Sequence, residues 1–288
     1  MVSKPIFGRT ASVLIGENEV DTVLIDGFRF NFTIRKTDSE DPNTCVLNVY
    51  NLSLGTRARM EKLDDFAFVK AGYTQADNIQ TIFVGNITDS TTLYESPEII
   101  TQITISDGEK SINDKKVSVS YKGGATVSQV LEDIVKKIGL TVKTDIKSLG
   151  INKIFNTGFS FTGNAKTAVK KLSEFSGLDW SIQNNELKFT KEGKSDGSKI
   201  VFLSPETGLI KTPEKIKIKN NKRKKEKELD GWKITSLLQP QAEPGGLIEV
   251  NSVITKGSKT FKIIDVQHDG DTFEGNFQTV MQVVEVTT

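Results

Sequence analysis

One cysteine and one histidine are all that the 288 residues of this chain contain. Cys45 therefore has no partner for a disulfide within the chain. The lone His268 excludes the usual zinc sites, which need several histidine or cysteine ligands. The sequence also lacks the glycine-rich loops that bind nucleotides and the aspartate-rich loops that bind calcium. We therefore predict no metal and no cofactor.

Excess charge of one sign and long apolar runs are missing as well. The 38 basic and 37 acidic side chains give a formal net charge of +1, so no long-range field steers the chain to nucleic acid or to an anionic membrane. No stretch of about 18 or more apolar residues occurs, and we expect no membrane insertion. Residues 1–6 lack the apolar segment of a signal peptide, so we expect folding in a cytosol.

The residues that could carry catalysis are few and scattered. His268 precedes Asp269 and Asp271, and we interpret it as a polar residue at a strand end beside a turn. A Ser-His-Asp triad stays open, but no Gly-x-Ser-x-Gly motif supplies its nucleophile. Cys45 is interpreted as a buried structural residue, since a reactive thiol needs a group nearby that lowers its pKa. We therefore predict that the chain is not an enzyme.

Acidic pairs could still serve the hydrolysis of glycans, which uses two carboxylates. Such pairs occur at 64–65, at 132–133, and at Asp269 with Asp271. A chain with 37 acidic residues produces neighbouring carboxylates by chance, so a wall hydrolase remains the weakest of the hypotheses.

The first part of the chain, residues 12–107, is typical of successive β-strands. Residues 28–34 alternate strictly, so that Phe28, Phe30, Phe32 and Ile34 share one face. A short helix is predicted over residues 54–63, with Ser53 as its cap. Strands separated by short turns favour a β-sandwich or β-barrel.

The middle part changes to helical periodicity. Apolar residues spaced near 3.6 predict an amphipathic helix over residues 126–138, which Gly139 ends, and a second over 164–176, which Gly177 ends. The two segments form a weak internal repeat, and Trp180 opens a predicted hairpin. Residues 111–192 are therefore predicted to form a small α/β domain with two helices.

The last part returns to a β pattern with marked turns. Residues 277–286 carry apolar side chains at both parities, which predicts burial on both faces or contact with a partner. We take Phe277, Met281 and Val283 as candidates for that contact. The fold class is thus mainly β, with β-barrel or sandwich domains at 1–110 and 193–288 on either side of the α/β domain.

Residues 215–228 are the one strongly basic segment. Our preferred interpretation is a solvated loop. The alternative is an electrostatic contact with an acidic protein surface or with nucleic acid, in which Lys222, Arg223, Lys224 and Lys225 are the candidate residues. The absence of aromatic residues there disfavours recognition of single strands.

The C-terminal segment resembles the end of baseplate hub proteins from contractile-tailed phages. Its stretches 231–240, 244–250 and 261–266, followed by a predicted turn at 268–271, are similar to the strands and turns of those hubs. The paired helices and the Trp180 hairpin of 107–189 resemble their middle domain, and residues 8–50 resemble their first barrel. The order of the domains carries the resemblance more than any one motif.

This resemblance implies an architecture and a set of partners. It implies a homotrimer in which two tail-tube-like β-barrels per chain form a pseudo-sixfold ring, a symmetry adaptor. Such a ring joins the hexameric tail tube to the trimeric spike, contacts other baseplate proteins, and leaves a channel for DNA in transit. The implied location is the tail baseplate of the virion, after assembly in the host cytoplasm.

A second hypothesis is a module that binds cell-wall glycan. Two helices on a small sheet, as predicted for 111–192, are similar to peptidoglycan-binding LysM units. The sequence leaves this possibility open beside the structural role.

Overall fold

The computed structural model describes residues 7–16, 22–62, 64–108, 112–198, 201–220 and 227–286. The chain forms two compact units. The first, called the β unit, comprises residues 1–37, 43–107 and 197–288. The second, called the α/β unit, comprises residues 38–42 and 108–196. The predicted fold class, mainly β with a small α/β part, is confirmed.

The N-terminal part of the β unit has seven strands and one short helix. These are β1 (Arg9–Gly16), β2 (Thr22–Ile25), β3 (Phe30–Thr37), β4 (Thr44–Tyr50), α1 (Leu54–Met60), β5 (Phe66–Tyr73), β6 (Gln80–Glu95) and β7 (Glu98–Ser106). The predicted cap is present, because Ser53 Oγ accepts a hydrogen bond from the Thr56 amide. The helix ends at Met60, three residues before the predicted end.

The α/β unit contains short strands and two helices of 12 residues each. Its elements are β8 (Lys116–Tyr121), β9 (Ala125–Thr126), α2 (Val127–Ile138), β10 (Thr141–Val142), β11 (Ile154–Phe155), β12 (Phe159–Asn164), α3 (Ala165–Ser176), β13 (Leu178–Gln183) and β14 (Glu186–Lys191). In the part of the chain that the structure describes, no helix is long and apolar enough to cross a membrane.

The C-terminal part of the β unit adds six strands. These are β15 (Val201–Leu203), β16 (Glu214–Asn220), β17 (Lys227–Leu237), β18 (Leu247–Ser252), β19 (Gly257–Asp271) and β20 (Phe277–Glu285). The thirteen strands that the described residues of the β unit form all belong to one sheet, whose main path runs β16-β17-β20-β19-β3-β4-β7-β6-β5-β1-β2. The predicted division at 1–110 and 193–288 therefore lies within one sheet, and its boundaries stay a prediction.

The helices of the α/β unit follow the predicted periodicity. Thr126 and Gln129 form a reciprocal capping box at the start of α2, and Gly139 ends it with a φ of 77°. A left-handed residue at this position suits glycine, which has no Cβ to clash. The apolar side chains of both helices pack into one cluster with Trp180 and Phe189 of the predicted hairpin. This cluster is a hydrophobic core of the unit's own.

The alternating strands of the β unit bury one face. Along β3, Phe30, Phe32 and Ile34 are at most 1% exposed, whereas the intervening Asn31 and Thr33 are half-buried. Phe28, predicted on the same face, precedes the strand and is exposed. Period-two alternation therefore selects the core face of β3 because every second side chain projects to the same side of the sheet.

Two predictions of irregular structure are wrong. The turn expected at 268–271 is part of β19, because residues 268–271 pair with β3 and residues 268–270 also pair with β20. Residues 215–220 and 227–228, expected in a solvated loop, lie in β16 and β17, which pair with each other. In both places the pairing with neighbouring strands outweighs the local preference of charged residues and glycine for turns.

Gly270 allows the closest approach between β3 and β19. Its partner in the ladder is Phe32, and a methyl group on Gly270 would lie 2.2 Å from Cζ of that buried ring. We expect Gly270→Ala to lower the free energy of unfolding by about 1–3 kcal/mol, since the packed ring cannot move away without strain. Chemical denaturation with a fluorescence readout measures the change.

Gly55→Ala is the matched control. Gly55 lies in α1 and has no atom within 4 Å of the added methyl group. Alanine is the better helix former, so this variant is expected to be as stable as the natural chain or slightly more so. Equal stability of the two alanine variants would contradict the steric argument.

Candidate assembly surfaces

The strand order of the β unit is duplicated. One set of five strands is ordered β3-β4-β7-β6-β5 and the other β16-β17-β20-β19-β18. We call them the N-terminal and C-terminal half-sheets. Every neighbouring pair within each is antiparallel. The strands also follow the same chain order, so that β3 to β7 correspond in turn to β16 to β20. One supersecondary pattern therefore occurs twice in this chain.

The duplication extends to single hydrogen bonds. Ile87 of β6 donates its amide to Asp65 O and accepts from the Asp64 amide. Ile263 of β19 donates to Gly246 O and accepts from the Gly245 amide. Asp64 and Gly245, which occupy the same place, both have a positive φ, of 70° and 86°.

A bulge marks the same point in both half-sheets. The register of β6 against β7 shifts between Ile87 and Asp89, and that of β19 against β20 shifts between Ile263 and Asp265. A bulge bends its strand and increases the local twist. β6 and β19 are thus two long strands bent at equivalent residues, and Ile87 and Ile263 fix the alignment of the two half-sheets.

The correspondence ends at the outer strands. β1 pairs with β5 in antiparallel orientation, whereas β15 pairs with β18 in parallel orientation. Helix α1 follows β4, whereas the segment between β17 and β18 contains turns and no helix. The duplicated part is therefore the five-strand half-sheet, with different additions on each copy.

A junction of seven residue pairs joins the two half-sheets. The second half of β19 pairs with β3 from Asp265 with Thr37 to Asp271 with Asn31. Thr33 Oγ1 donates to Asp269 Oδ1 across this ladder at 3.1 Å. This pairing makes the sheet continuous from one half to the other.

Aromatic packing supports the junction from the core side. The ring of Phe277 lies 5.8 Å from that of Phe32 and 5.2 Å from that of Tyr73, both edge to face. Tyr73 Oη also donates to Phe277 O at 3.1 Å. Edge-to-face pairs add to the energy of apolar burial, so these rings hold β20 of the C-terminal half-sheet against the N-terminal core.

An arginine closes the end of the junction. Arg29 Nη2 donates to Asp271 Oδ2 at 2.8 Å and to Glu274 Oε1 at 2.9 Å. The hydrogen bond to Asp271 is the main cause that raises the pKa of Arg29. The guanidinium also lies 4.7 Å from the ring centroid of Tyr50. The chain before β3 is thereby fixed to the end of β19.

The equivalent position in the N-terminal half-sheet is open. The segment of β6 after the bulge, residues 88–95, is called the β6 arm. Its side chains are exposed or half-buried, whereas the corresponding residues 264–271 of β19 are buried or half-buried. Among the described residues, β7 is the one strand that pairs with the arm.

β16 is the other open strand of the duplicated pattern. Its equivalent β3 has strands on both sides, β4 and β19, whereas β16 pairs with β17 alone among the described residues. Lys217 Nζ lies 2.6 Å from Asp230 Oδ1 on this hairpin. The hydrogen bond to Asp230 raises the pKa of Lys217 and lowers that of Asp230.

The structure accounts for the apolar candidates of the last strand within the chain itself. Phe277, Met281 and Val283 are 2%, 0% and 0% exposed in the core. Val280 and Val284, at the other parity, are half-buried. Burial in the core explains the apolar character of Phe277, Met281 and Val283 without a partner. A partner surface on this strand would lie on the other face, at Val280 and Val284. Lys222, Arg223, Lys224 and Lys225 lie outside the described residues.

The candidates for catalysis are separated and covered. Cys45 is fully buried, which raises the pKa of its thiol, in keeping with its structural interpretation. His268 is also fully buried, within β19 rather than at a strand end. The described residues contain no group of three or more histidine, cysteine, aspartate or glutamate side chains placed to hold a metal ion.

The acidic pairs have individual partners. Asp65 is buried and accepts from Arg59 Nη1 at 2.6 Å. Asp133 accepts from the hydroxyl of Tyr121, and this contact contributes, after burial, to raising the pKa of Tyr121 to about 12. Asp271 binds Arg29, whereas Asp269 accepts from Thr33 and Gln267. Each of these four carboxylates, Asp65, Asp133, Asp269 and Asp271, therefore has a structural contact in the fold.

Comparison with protein families identifies the chain. Residues 11–269 match the family described as baseplate hub gp41. The chain belongs to this baseplate hub family. Membership gives it a structural role in a phage tail baseplate and a place in the tail of the virion.

Solved structures with the same fold are tail proteins and secretion proteins. The 43 kDa tail protein of prophage MuSo2 from Shewanella oneidensis is 12% identical, with a TM-score of 0.65 over 95% of this chain and 96% of that one. A tail protein from Neisseria meningitidis MC58 is 10% identical, with a TM-score of 0.62 over 96% of each chain.

A third structure extends the likeness to secretion. The Escherichia coli c3393 protein, a component of the type VI secretion system, is 12% identical, with a TM-score of 0.58 over 99% of this chain and 75% of that one. It is described as similar to the T4 phage tail proteins gp27 and gp5. No curated protein sequence matches the baseplate hub chain at a significant level.

The β6 arm was not found by sequence reasoning. Strands were predicted at 80–84 and 99–106, but the residues between them were not assigned. A signal was present in Thr88, Thr91 and Thr92, because β-branched residues favour strands. Polar residues on both faces hid the strand, since neither face of the arm faces the core of its own half-sheet.

The buried His268 makes the stability of the hub depend on pH. Burial and the positive charge of Lys36 lower the pKa of His268 from 6.5 to about 3, so the unfolded chain takes up a proton before the folded chain does. We expect the free energy of unfolding to fall as the pH is lowered from 6.5 to 3, by up to about 1.4 kcal/mol per pH unit from this group.

His268→Gln separates this effect from other titrating groups. The glutamine retains a polar group for the Thr279 hydroxyl, which lies 2.9 Å from His268 Nδ1, but it cannot take up the proton. Denaturation curves of both proteins at several pH values give the difference. Parallel dependence on pH in the two proteins would contradict a neutral buried histidine.

Proposed function

We propose that three copies of this baseplate hub form a pseudo-sixfold ring that joins the hexameric tail tube to the trimeric spike. The observation that carries the proposal is the duplicated half-sheet, since each chain supplies two equivalent β modules. Three chains then supply six modules, which is the number needed to match a hexameric tube. The spike face keeps the true threefold symmetry of the three chains.

The ring works by adapting symmetry rather than by catalysis. Closed rings form from head-to-tail contacts when the rotation between neighbours closes. In this hub, one of those contacts is made within the chain, at the junction of β3 with β19. The two modules differ at β1 and β15, so the exact symmetry of the ring is threefold and its sixfold symmetry is approximate. Its centre leaves a channel for DNA in transit.

The burial of the two candidate catalytic side chains, Cys45 and His268, supports a non-enzymatic role. A substrate has no access to the fully buried Cys45 or His268, and a histidine with a pKa near 3 is a poor general base at neutral pH. The partners that follow are the tube protein, the spike protein and other baseplate proteins. Assembly takes place in the host cytoplasm before the tail is complete.

Binding of cell-wall glycan is a second candidate because the α/β unit has an exposed aromatic cluster. Phe155 and Phe175 stack with centroids 5.1 Å apart, and Phe175 is 45% exposed. Exposed aromatic rings can support a sugar. However, Lys153 Nζ lies 5.1 Å from the centroid of the Phe175 ring, which leaves less of this ring for a ligand.

A pull-down on purified peptidoglycan tests the glycan candidate. Glycan binding predicts retention of the natural chain and several-fold weaker retention of Phe175→Ala. The exposed Phe273→Ala in the β unit is the control, because it removes an aromatic ring elsewhere. No retention of the natural chain would end this candidate and leave the structural role unaffected.

The ring predicts a copy number. Cryo-electron microscopy of purified tails is expected to show three copies of the chain, with six β modules around the axis next to the hexameric tube. Quantitative mass spectrometry of the same tails gives the ratio of tube chains to hub chains. Divided by the number of tube rings in the tail, this ratio should be two tube chains for each hub chain. Six hub chains per tail, or one, would contradict the proposal.

A further inference from the structure

We infer that β16 of one hub chain pairs with the β6 arm of the next chain, repeating between subunits the junction that β3 and β19 form within one chain. The inference rests on the proposed ring and names the strands that close it. β16 is equivalent to β3, and the β6 arm is equivalent to the second half of β19. β3 and the second half of β19 pair with each other. The equivalent edges of β16 and of the β6 arm have no strand partner among the described residues.

The equivalence follows from the pairings, step by step. Ile87 corresponds to Ile263, and their partners in the next strand are Ile105 and Val283. The partners of these two are Cys45 and Trp232. Cys45 in turn pairs with Ile34 of β3, and Trp232 pairs with Lys215 of β16, so Ile34 corresponds to Lys215. Lys217 therefore takes the place of Lys36, and Ser90 takes the place of Val266.

The internal junction then gives a register for the external one. Within the chain, Lys36 pairs with Val266 and Arg35 pairs with Gln267. Between chains, Lys217 should therefore lie opposite Ser90, and Ile216 opposite Thr91. A shift by one residue would turn every side chain to the other face of the sheet, so the register is a sharp expectation.

Charge favours this pair of strands. The arm and its flanks, residues 80–98, contain Asp89, Glu95 and Glu98 and no lysine or arginine. β16 contributes Lys215 and Lys217 against the single acidic Glu214. Opposite charges on neighbouring strands stabilise their pairing, whereas two copies of the same edge would place like charges together. A β16 edge therefore prefers the arm to another β16.

The arm has a backbone edge free to receive a strand. Beyond Ile87, no residue of the described chain pairs with the arm on the side away from β7. Unpaired edges of this kind attract another strand. Two side-chain hydrogen bonds hold the arm: Thr92 Oγ1 donates at 2.9 Å to Glu61 Oε1, directly after helix α1, and Arg57 Nη1 of α1 donates at 3.2 Å to Tyr94 Oη.

Disulfide cross-linking in assembled tails tests the register. A double variant, Lys217→Cys with Ser90→Cys, is assembled under reducing conditions and then mildly oxidised. Neighbouring residues on paired strands have Cβ atoms about 4.5–5.5 Å apart, close enough for a disulfide after small adjustments. Most hub chains are expected in covalent dimers and trimers on a non-reducing gel, with no larger species. The natural Cys45 is buried and stays unreacted.

The control is the double variant Lys217→Cys with Thr91→Cys, whose second cysteine points to the opposite face. It is expected to cross-link several-fold less. Monomers from the first variant in tails that hold three hub chains would overturn the inferred pairing and leave the ring intact. A different copy number would overturn the ring itself.

The map of unmodified tails provides a second measurement. It is expected to show β16 beside the β6 arm of the neighbouring chain, in the register of Lys217 with Ser90. This readout does not depend on whether the cysteine variants assemble. Any other strand, or a gap, at the arm would contradict the inference.

Discussion

The pairing of β3 with β19 is the interaction on which the rest of the β unit depends. It connects two half-sheets that are far apart in the sequence, and it spans seven residue pairs. Without it, each half-sheet would present an unpaired strand edge and part of an apolar face to water. Bringing two distant parts of a chain together closes a long loop, which costs conformational entropy, and the contact must supply the free energy that offsets this cost. The buried rings of Phe32 and Phe277 and the Arg29 ion pair provide that stabilisation.

Two bent strands make this arrangement possible. β6 has 16 residues and β19 has 15, well above the common length of about 5–6 residues for a strand. Each pairs with one strand along its length and, on its other edge, with a different strand before the bulge. After the bulge, β19 pairs with β3, whereas no strand of the described residues pairs with the β6 arm on that edge. Two equivalent bent strands thus differ in use: β19 joins the half-sheets, whereas among the described residues the arm of β6 pairs with β7 alone.

The α/β unit obeys different constraints. Its helices and hairpin share a core that is complete within the unit, so its stability does not require the junction. Salt bridges from Lys166 and Lys170 of α3 to Asp41 and Glu40 attach residues 38–42 to it. These residues connect β3 with β4, which means that a short loop of the β sheet belongs to the other unit. The paired helices are therefore an insertion with a hydrophobic core of its own, added to a duplicated β scaffold.

Local sequence determined much of this protein. Strict alternation in residues 30–34 specified the core face of β3, and the spacing of apolar residues between caps and glycines specified α2 and α3. The lone Cys45 and His268 already disfavoured a catalytic site, and the domain order carried the resemblance to baseplate hubs. What these features share is that neighbours in the sequence decide them, through side-chain period, capping and composition.

The tertiary structure alone decided where strands meet. The sequence at 268–271 has the residues of a turn, yet it remains extended because two strands pair with it. The polar β6 arm shows no apolar alternation, so its strand character depends on its partner rather than on its own pattern. In the basic β16 only Ile216 and Ile218 alternate with lysines, a signal too short to define a strand without the pairing to β17. The sequence made Phe277, Met281 and Val283 candidates for a partner contact, and the fold buries all three in its own core. Pairing between distant strands depends on which edges become neighbours in space, and no local period in the sequence encodes that.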